Sequence, residues 1–248
     1  MMKKKHYTLI ATFTSIPVLV ILLQATSAWA MHISEGILPF PWAIFWTVLA
    51  APFLIKGLVD IKKKNEELPS YLPLLGMVGA AVFVFSCLPV PVPIAGTCSH
   101  PAGTGLSVIL LGFFPSITVA AVALLIQALF LAHGGLTTFG ANVFSMGIIG
   151  SLAGFLAFRL GKSWKIPLFW RAFIAGVAAD IFTYLATSVE LGLALHGDEA
   201  AAKVITTIFV SFLPTQIPLC ILEGVLTAGA VVYIYKHRPV VLQKLQVV

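Results

Sequence analysis

The sequence predicts an all-α, polytopic membrane helix bundle of about seven spans, arranged as one domain. Three observations carry this. The 248 residues are 59% hydrophobic and only 10% charged, against roughly 25% charged in a soluble domain, so a water-facing surface could not be covered. Apolar stretches of bilayer length recur along the chain, bounded by charged or turn residues. The basic residues lie in short loops, as topology-setting charges do. The net charge of +6 therefore does not point to nucleic acid.

Residues 1–30 read as a cleaved signal peptide, and 31–248 as the single transmembrane domain. Lys3 to Lys5 form a charged start. Thr8 to Leu23 form a short apolar core interrupted by Pro17. Ala28-Trp29-Ala30 places small residues at the −3 and −1 positions of a cut that frees the amine of Met31. The competing reading is an uncleaved anchor helix.

The expected spans are 40–58, 71–93, 103–114, 116–133, 138–158, 168–190 and 203–235. The first runs into Lys56 and the lysines at 62–64, the fifth into Arg159, and the last ends at Lys236. The stretch 103–114 is short and glycine-rich, which suggests a bent or partial span. With Met31 outside and seven spans, eleven of the twelve basic residues after position 30 fall inside, Lys203 being the exception. The positive-inside rule thus agrees with an outer N-terminus and a cytoplasmic C-terminus in the plasma (inner) membrane. It also puts the 94–102 loop on the outer face beside His32.

A free amine on Met31 followed by His32 is a chelator. The amine nitrogen and the His32 amide nitrogen close a five-membered ring on a metal. That amide nitrogen and Nδ1 of His32 close a six-membered ring. Three nitrogens then lie nearly in one plane with a fourth position open. The amide must lose its proton, which late first-row divalent ions (copper, nickel, low-spin cobalt) can drive. Calcium and magnesium, which want oxygen ligands, cannot.

His100, in the outer loop Pro93-Ile94-Ala95-Gly96-Thr97-Cys98-Ser99-His100-Pro101, is the candidate for the fourth position. Pro101 suits a first helical turn and would fix His100 at the helix lip. The alternative is an interfacial histidine satisfied by backbone. Cys98 is either a soft ligand or, more simply, a small packing residue. The three cysteines (Cys87, Cys98, Cys220) form no spaced framework.

Met31-His32-Ile33-Ser34-Glu35-Gly36 resembles the mature start of the CbiM/NikM family, and Gly96 to Leu106 resembles its cobalt branch with the Cys-Ser-His-Pro run. Thr138 to Met146, Gln216-Ile217-Pro218 and Glu223-Gly224 are also similar to family segments. The likeness extends from Met31 to about Tyr235. The resemblance implies the substrate-binding (S) component of an energy-coupling-factor importer. It implies Co(II) as bound cargo, with Ni(II) as the alternative, held by Met31, His32 and His100, and no organic cofactor. It further implies a transmembrane coupling subunit, ATP-binding subunits and a small accessory membrane subunit as partners, and cobalamin synthesis as the destination of the metal. Phe113-Phe114 departs from the family, where a Gly-Pro turn is common.

Other features have bland readings beside functional ones. Asp180 and Glu223 fall inside the sixth and seventh spans, where acids are costly and face the bundle interior. They read as packing residues or as part of a metal path. Gly150 and Gly154 make a G-x-x-x-G face, by default for close helix packing. Pro214 and Pro218 should kink the seventh span, with Gln216 available to freed backbone groups. His133, at the outer end of the fourth span, is either an interfacial histidine or an outer support of the metal site. His196 reads as solvated. Gly161-Lys162-Ser163 lacks the upstream glycine and the preceding strand of a phosphate-binding loop. No hydrolase motif occurs, so a non-enzymatic transporter subunit without its own ATPase site is expected. A stand-alone channel or secondary transporter using Asp180 and Glu223 as relays is the rival from another class.

Overall fold

The computed structural model describes residues 32–88, 90–91, 98–245 and 247. The expected signal peptide, Met31 and the Cys98 side chain lie outside the described portion. Among these residues eight helices follow one another: α1 (Phe40–Glu67), α2 (Tyr71–Ser86), α3 (Thr104–Leu111), α4 (Phe113–Phe130), α5 (Phe139–Ser163), α6 (Leu168–Leu195), α7 (Ala201–His237) and α8 (Pro239–Lys244). Between α2 and α3 the chain makes a two-residue antiparallel pairing, β1 (Val90–Pro91) with β2 (Cys98–Ser99).

Among the described residues, five helices (α1, α4, α5, α6 and α7) are long and apolar enough to cross a membrane. Their outward faces carry large apolar side chains such as Phe45, Val48, Phe130 and Val225, each about half exposed or more. In a water-soluble protein such continuous apolar exposure would be an aggregation surface; against lipid it is the required solvent match. Helix α2 has 16 residues. Helix α3 has only 8, about 12 Å at 1.5 Å per residue, well short of the roughly 30 Å hydrocarbon core.

Helix α3 is the expected partial span, and every one of its residues is buried. It passes directly into α4 through Gly112, whose φ of 88° lies in the left-handed region open to glycine. That single residue makes the turn, so Phe113-Phe114 begins α4 without a break.

Helix α5 contains a feature its sequence does not announce. Val143–Gly150 winds as a π-helix within an otherwise α-helical segment, an arrangement frequent at functional sites. A Cβ on Gly150 would lie 2.3 Å from Thr183 Oγ1, and one on Gly154 would lie 3.1 Å from the Ala175 carbonyl. The G-x-x-x-G face therefore serves close packing of α5 on α6, its default reading. Helix α7 continues through both Pro214 and Pro218, with Gln216 buried between them.

Candidate metal centre

The segment 32–38 folds back across one end of the bundle and is pinned to the start of α5. Asn142 does most of this. Its Oδ1 accepts the Ile33 N–H at 2.7 Å, and its Nδ2 donates to the Ile33 carbonyl at 3.1 Å. The side-chain amide thus satisfies both backbone groups of one residue, as a neighbouring strand would. Thr138 Oγ1 donates to the same carbonyl at 2.6 Å. Glu35 accepts hydrogen bonds from the Thr137 N–H and hydroxyl, and these bonds lower its carboxyl pKa. Ile33 and Leu38 pack with Ala43, Trp46 and Ala141 in a small apolar cluster separate from the main core. The residue after His32 is held at both polar groups and by its side chain.

His100 is positioned from the opposite direction. It directly precedes Pro101, and the next two amides are captured from across the bundle. Glu223 on α7 accepts the Ala102 N–H at 2.6 Å and the Gly103 N–H at 3.0 Å. Gly103 itself is left-handed (φ 71°) and packs against the Val82 backbone. These orphan donors at the start of α3 have a carboxylate partner rather than water. Asp180 is fully buried beside Glu223, so this acid pair belongs to the loop that carries His100.

His133 completes the group. It follows α4 after Ala132, a non-glycine residue at φ 49°. Such a conformation costs an alanine roughly 1–2 kcal/mol. The His133 N–H donates to the Gln127 carbonyl at 3.2 Å. Gln127, buried six residues earlier, donates its side-chain amide to Ser86 at 2.9–3.0 Å and also interacts with the His32 imidazole.

His32, His100 and His133 each offer one ligand atom, all within 4.8 Å of one another. Their ring centroids form a near-equilateral triangle of 4.8, 4.9 and 5.1 Å. His100 Nε2 and His133 Nε2 are 2.9 Å apart. His100 Nδ1 lies 3.1 Å from the Pro101 carbonyl; a carbonyl only accepts, so Nδ1 carries the proton and Nε2 keeps a lone pair.

His32 and His100 are buried, at 2% and 1% exposure, and His133 is half-buried. Burial, with repulsion between neighbouring rings, holds the His32 pKa well below its ordinary value. The same causes lower His100 to about 3, and burial lowers His133 to about 4. All three rings are uncharged at neutral pH, the state in which imidazole binds a metal.

Of the expected ligands, the structure brings His32 and His100 together; Met31 lies outside the described residues. His133, read from sequence chiefly as an interfacial histidine, is drawn into the same cluster. The available signal was His133-Gly134-Gly135, ending seven residues ahead of Asn142. A Cβ on Gly135 would lie 2.7 Å from Glu35 Cα, so the glycine marks where the N-terminal segment must lie. Glu190 on α6 was not singled out by sequence; it is fully buried and faces Ser145 on the π-helical stretch.

The family described as the cobalt uptake substrate-specific transmembrane region, CbiM, matches residues 32–241. A cobalt transport protein CbiM of Sorangium cellulosum is 49% identical over 218 residues, which cover 88% of this chain and 97% of that protein. One of Geobacter sulfurreducens is 50% identical over 227 residues, 92% of this chain and 66% of that protein. The crystal structure of a truncated transition metal transporter is similar in fold, with a TM-score of 0.71 and 28% identity over 83% of this chain and 99% of that one. The family match includes His32, His100, His133, Asn142 and Glu223, and this polytopic helical chain belongs to the CbiM family.

Proposed function

We propose that the chain is the substrate-capture subunit of an ATP-driven energy-coupling-factor importer for Co(II), supplying cobalamin synthesis. The single observation that carries this is the cluster of neutral, buried imidazoles at the end of the bundle where residue 32 is pinned. In this reading a signal peptidase cuts after Ala30, and Met31 supplies its free amine. The His32 amide and imidazole complete a tridentate set, and His100 takes the remaining in-plane position. The names of the relatives, cobalt transport proteins, favour cobalt over nickel as cargo.

The orientation follows from charge. At the end away from the imidazoles, Lys64, Arg159, Lys162 and Lys244 surround a cavity of about 670 Å³. A cluster of cations at one end of a membrane bundle favours that end as cytoplasmic, which leaves the imidazoles outside. The coupling subunit, ATP-binding subunits and small accessory subunit would engage the chain from the cytoplasmic side and within the membrane.

Mass spectrometry of the purified chain should show Met31 as the first residue, and titration should show tight Co(II) binding. His32→Ala and His100→Ala should each abolish that binding while leaving the protein inserted. Wild-type affinity in either variant would refute the ligand set. Vesicles holding this chain alone should show no appreciable cobalt uptake, and uptake should appear when the ATP-binding and coupling subunits are added with ATP. Substantial uptake by the chain alone would identify a channel or secondary transporter instead.

A further inference from the structure

We propose that the cavity at the cation-rich end of the bundle is a binding site for the phosphate headgroup of an anionic phospholipid. This site is separate from the imidazole cluster and takes a different class of ligand.

The cavity holds about 670 Å³, within the roughly 300–1,000 Å³ usual for ligand pockets. Four cations line it, Lys64, Arg159, Lys162 and Lys244, against one carboxylate, that of Glu67. They come from α1, α5 and α8, elements far apart in sequence. Among the described residues none of the four forms a salt bridge. Like charges gathered around one space repel each other, and an anion placed among them turns that repulsion into attraction.

The cations are held there by the fold. Lys64 Nζ donates to the Leu111 carbonyl at 2.6 Å and lies 5.3 Å from the centre of the Tyr71 ring. The Arg159 guanidinium lies 5.0 Å from the centre of the Phe155 ring. A cation supported by a ring keeps N–H donors for an anion, and the guanidinium fork matches phosphate oxygens. Lys244 is brought by a docked tail. Arg171 Nη2 donates to the Val247 carbonyl at 3.2 Å, and the Val247 N–H donates to the Leu242 carbonyl at 2.9 Å. Leu242 and Val247 are both buried, so the C-terminal segment closes one wall of the cavity.

The surroundings favour a lipid over a free anion. Leu68, Leu110, Phe155 and Leu245 stand in the same walls as the cations, and apolar surface of this kind suits glycerol and acyl carbons. On α5, Phe155, Arg159 and Lys162 follow at i, i+4 and i+7 and form one stripe along the cavity. The neighbouring stripe carries Leu156 and Leu160, each about half exposed, so the cavity borders the lipid-facing surface. Trp164 and Trp170, just beyond, are exposed as well. Tryptophan concentrates at the membrane–water interface, the depth at which headgroups lie. Basic pockets between transmembrane helices at the cytoplasmic face bind such headgroups, and the charge of this end favours that face.

The test uses the full chain purified in mild detergent and stripped of lipid by extended washing. It is then melted with phosphatidylglycerol, phosphatidylcholine, inorganic phosphate or a polyglutamate peptide. Phosphatidylglycerol should raise the melting temperature, and native mass spectrometry should show it retained in preference to phosphatidylcholine. The double variant Arg159→Gln/Lys162→Gln should weaken that retention by about tenfold or more. Lys62→Gln/Lys63→Gln removes the same charge from two exposed lysines of α1 that do not line the cavity, and should behave as wild type. Equal losses in the two double variants would reduce the effect to general surface charge and overturn the proposal. Equal retention of the two lipids by wild type would overturn it too, even if a variant fails to fold. Protection by inorganic phosphate as strong as that by phosphatidylglycerol would replace the lipid with a free anion. Protection by the peptide alone would make the cavity a protein-docking site instead.

Discussion

Glu223 Oε2 accepts the Ala102 N–H at 2.6 Å across the interior of the bundle, 121 residues away in sequence. This bond and its partner to Gly103 tie the middle of α7 to the loop that ends at His100. Glu223→Gln keeps the shape but presents an amide NH2 to one of two N–H donors. One buried donor is then left unmet, at a cost of about 1–3 kcal/mol. Part of that cost should appear as weaker Co(II) binding, measured by titration, because the displaced loop carries a ligand. Unchanged binding would show that His100 is held by the β1–β2 pairing alone.

Asn142 occupies the corresponding position for the other half of the site. Asn142→Ala leaves the Ile33 N–H without its partner in a buried setting and removes one of two donors to the Ile33 carbonyl. Again about 1–3 kcal/mol is at stake. The expected outcome is faster proteolytic removal of the N-terminal segment in the metal-free protein and a matching loss of metal affinity. Asn142→Asp retains the acceptor and loses the donor, so it should fall between wild type and alanine.

The lowered pKa values of the three histidines set a pH dependence. Folded, the rings stay neutral down to about 4 for His133 and about 3 for His100. Unfolded or undocked, each takes a proton near 6.5. The undocked state therefore binds more protons below that value, and stability is full above about 6.5 and declines as pH falls toward 4. Melting of the metal-free chain across this range should show the decline. The triple variant with glutamine at positions 32, 100 and 133 should show a shallower slope.

The α5–α6 contact is tight enough to test by size. Gly150→Leu would place its Cβ 2.3 Å from Thr183 Oγ1 and 3.0 Å from the Ala179 carbonyl, and overpacking of this kind costs about 1–3 kcal/mol. Gly229 on α7 has nothing within 4 Å of the same position. Gly229→Leu should leave the melting temperature in detergent near that of wild type, while Gly150→Leu should lower it.

Much of the architecture was legible because hydropathy is a local signal. Each expected apolar stretch overlaps a helix, although the one expected over 71–93 gives a helix that ends at Ser86 and is followed by β1, and the short glycine-rich one is the buried half-helix α3. The meeting of His32 and His100 was legible through topology, since parity of spans puts both on one face. His133 was less legible because a single histidine at a helix end has no distinguishing period or spacing. Its role depends on the left-handed turn at Ala132 and on where residues 32–38 lie, and both are tertiary facts. The π-helical stretch at 143–150 was equally hidden, as apolar residues there fit α and π winding alike. Glu223 was legible as a buried acid but not as a clamp, because its partners are backbone amides with no side-chain signature.

Helix α3 acts as a strut. Its first turn adjoins the amides gripped by Glu223, and its last carbonyl, that of Leu111, accepts a hydrogen bond from Lys64 Nζ at 2.6 Å. Between those anchors all eight residues are enclosed, in an interior that compresses little. The same helix that starts at the loop bearing His100 thus ends in the wall of the cation-lined cavity, which includes Val108 to Leu111. The imidazole cluster and the opposite mouth of the bundle are joined through a single short element of the chain.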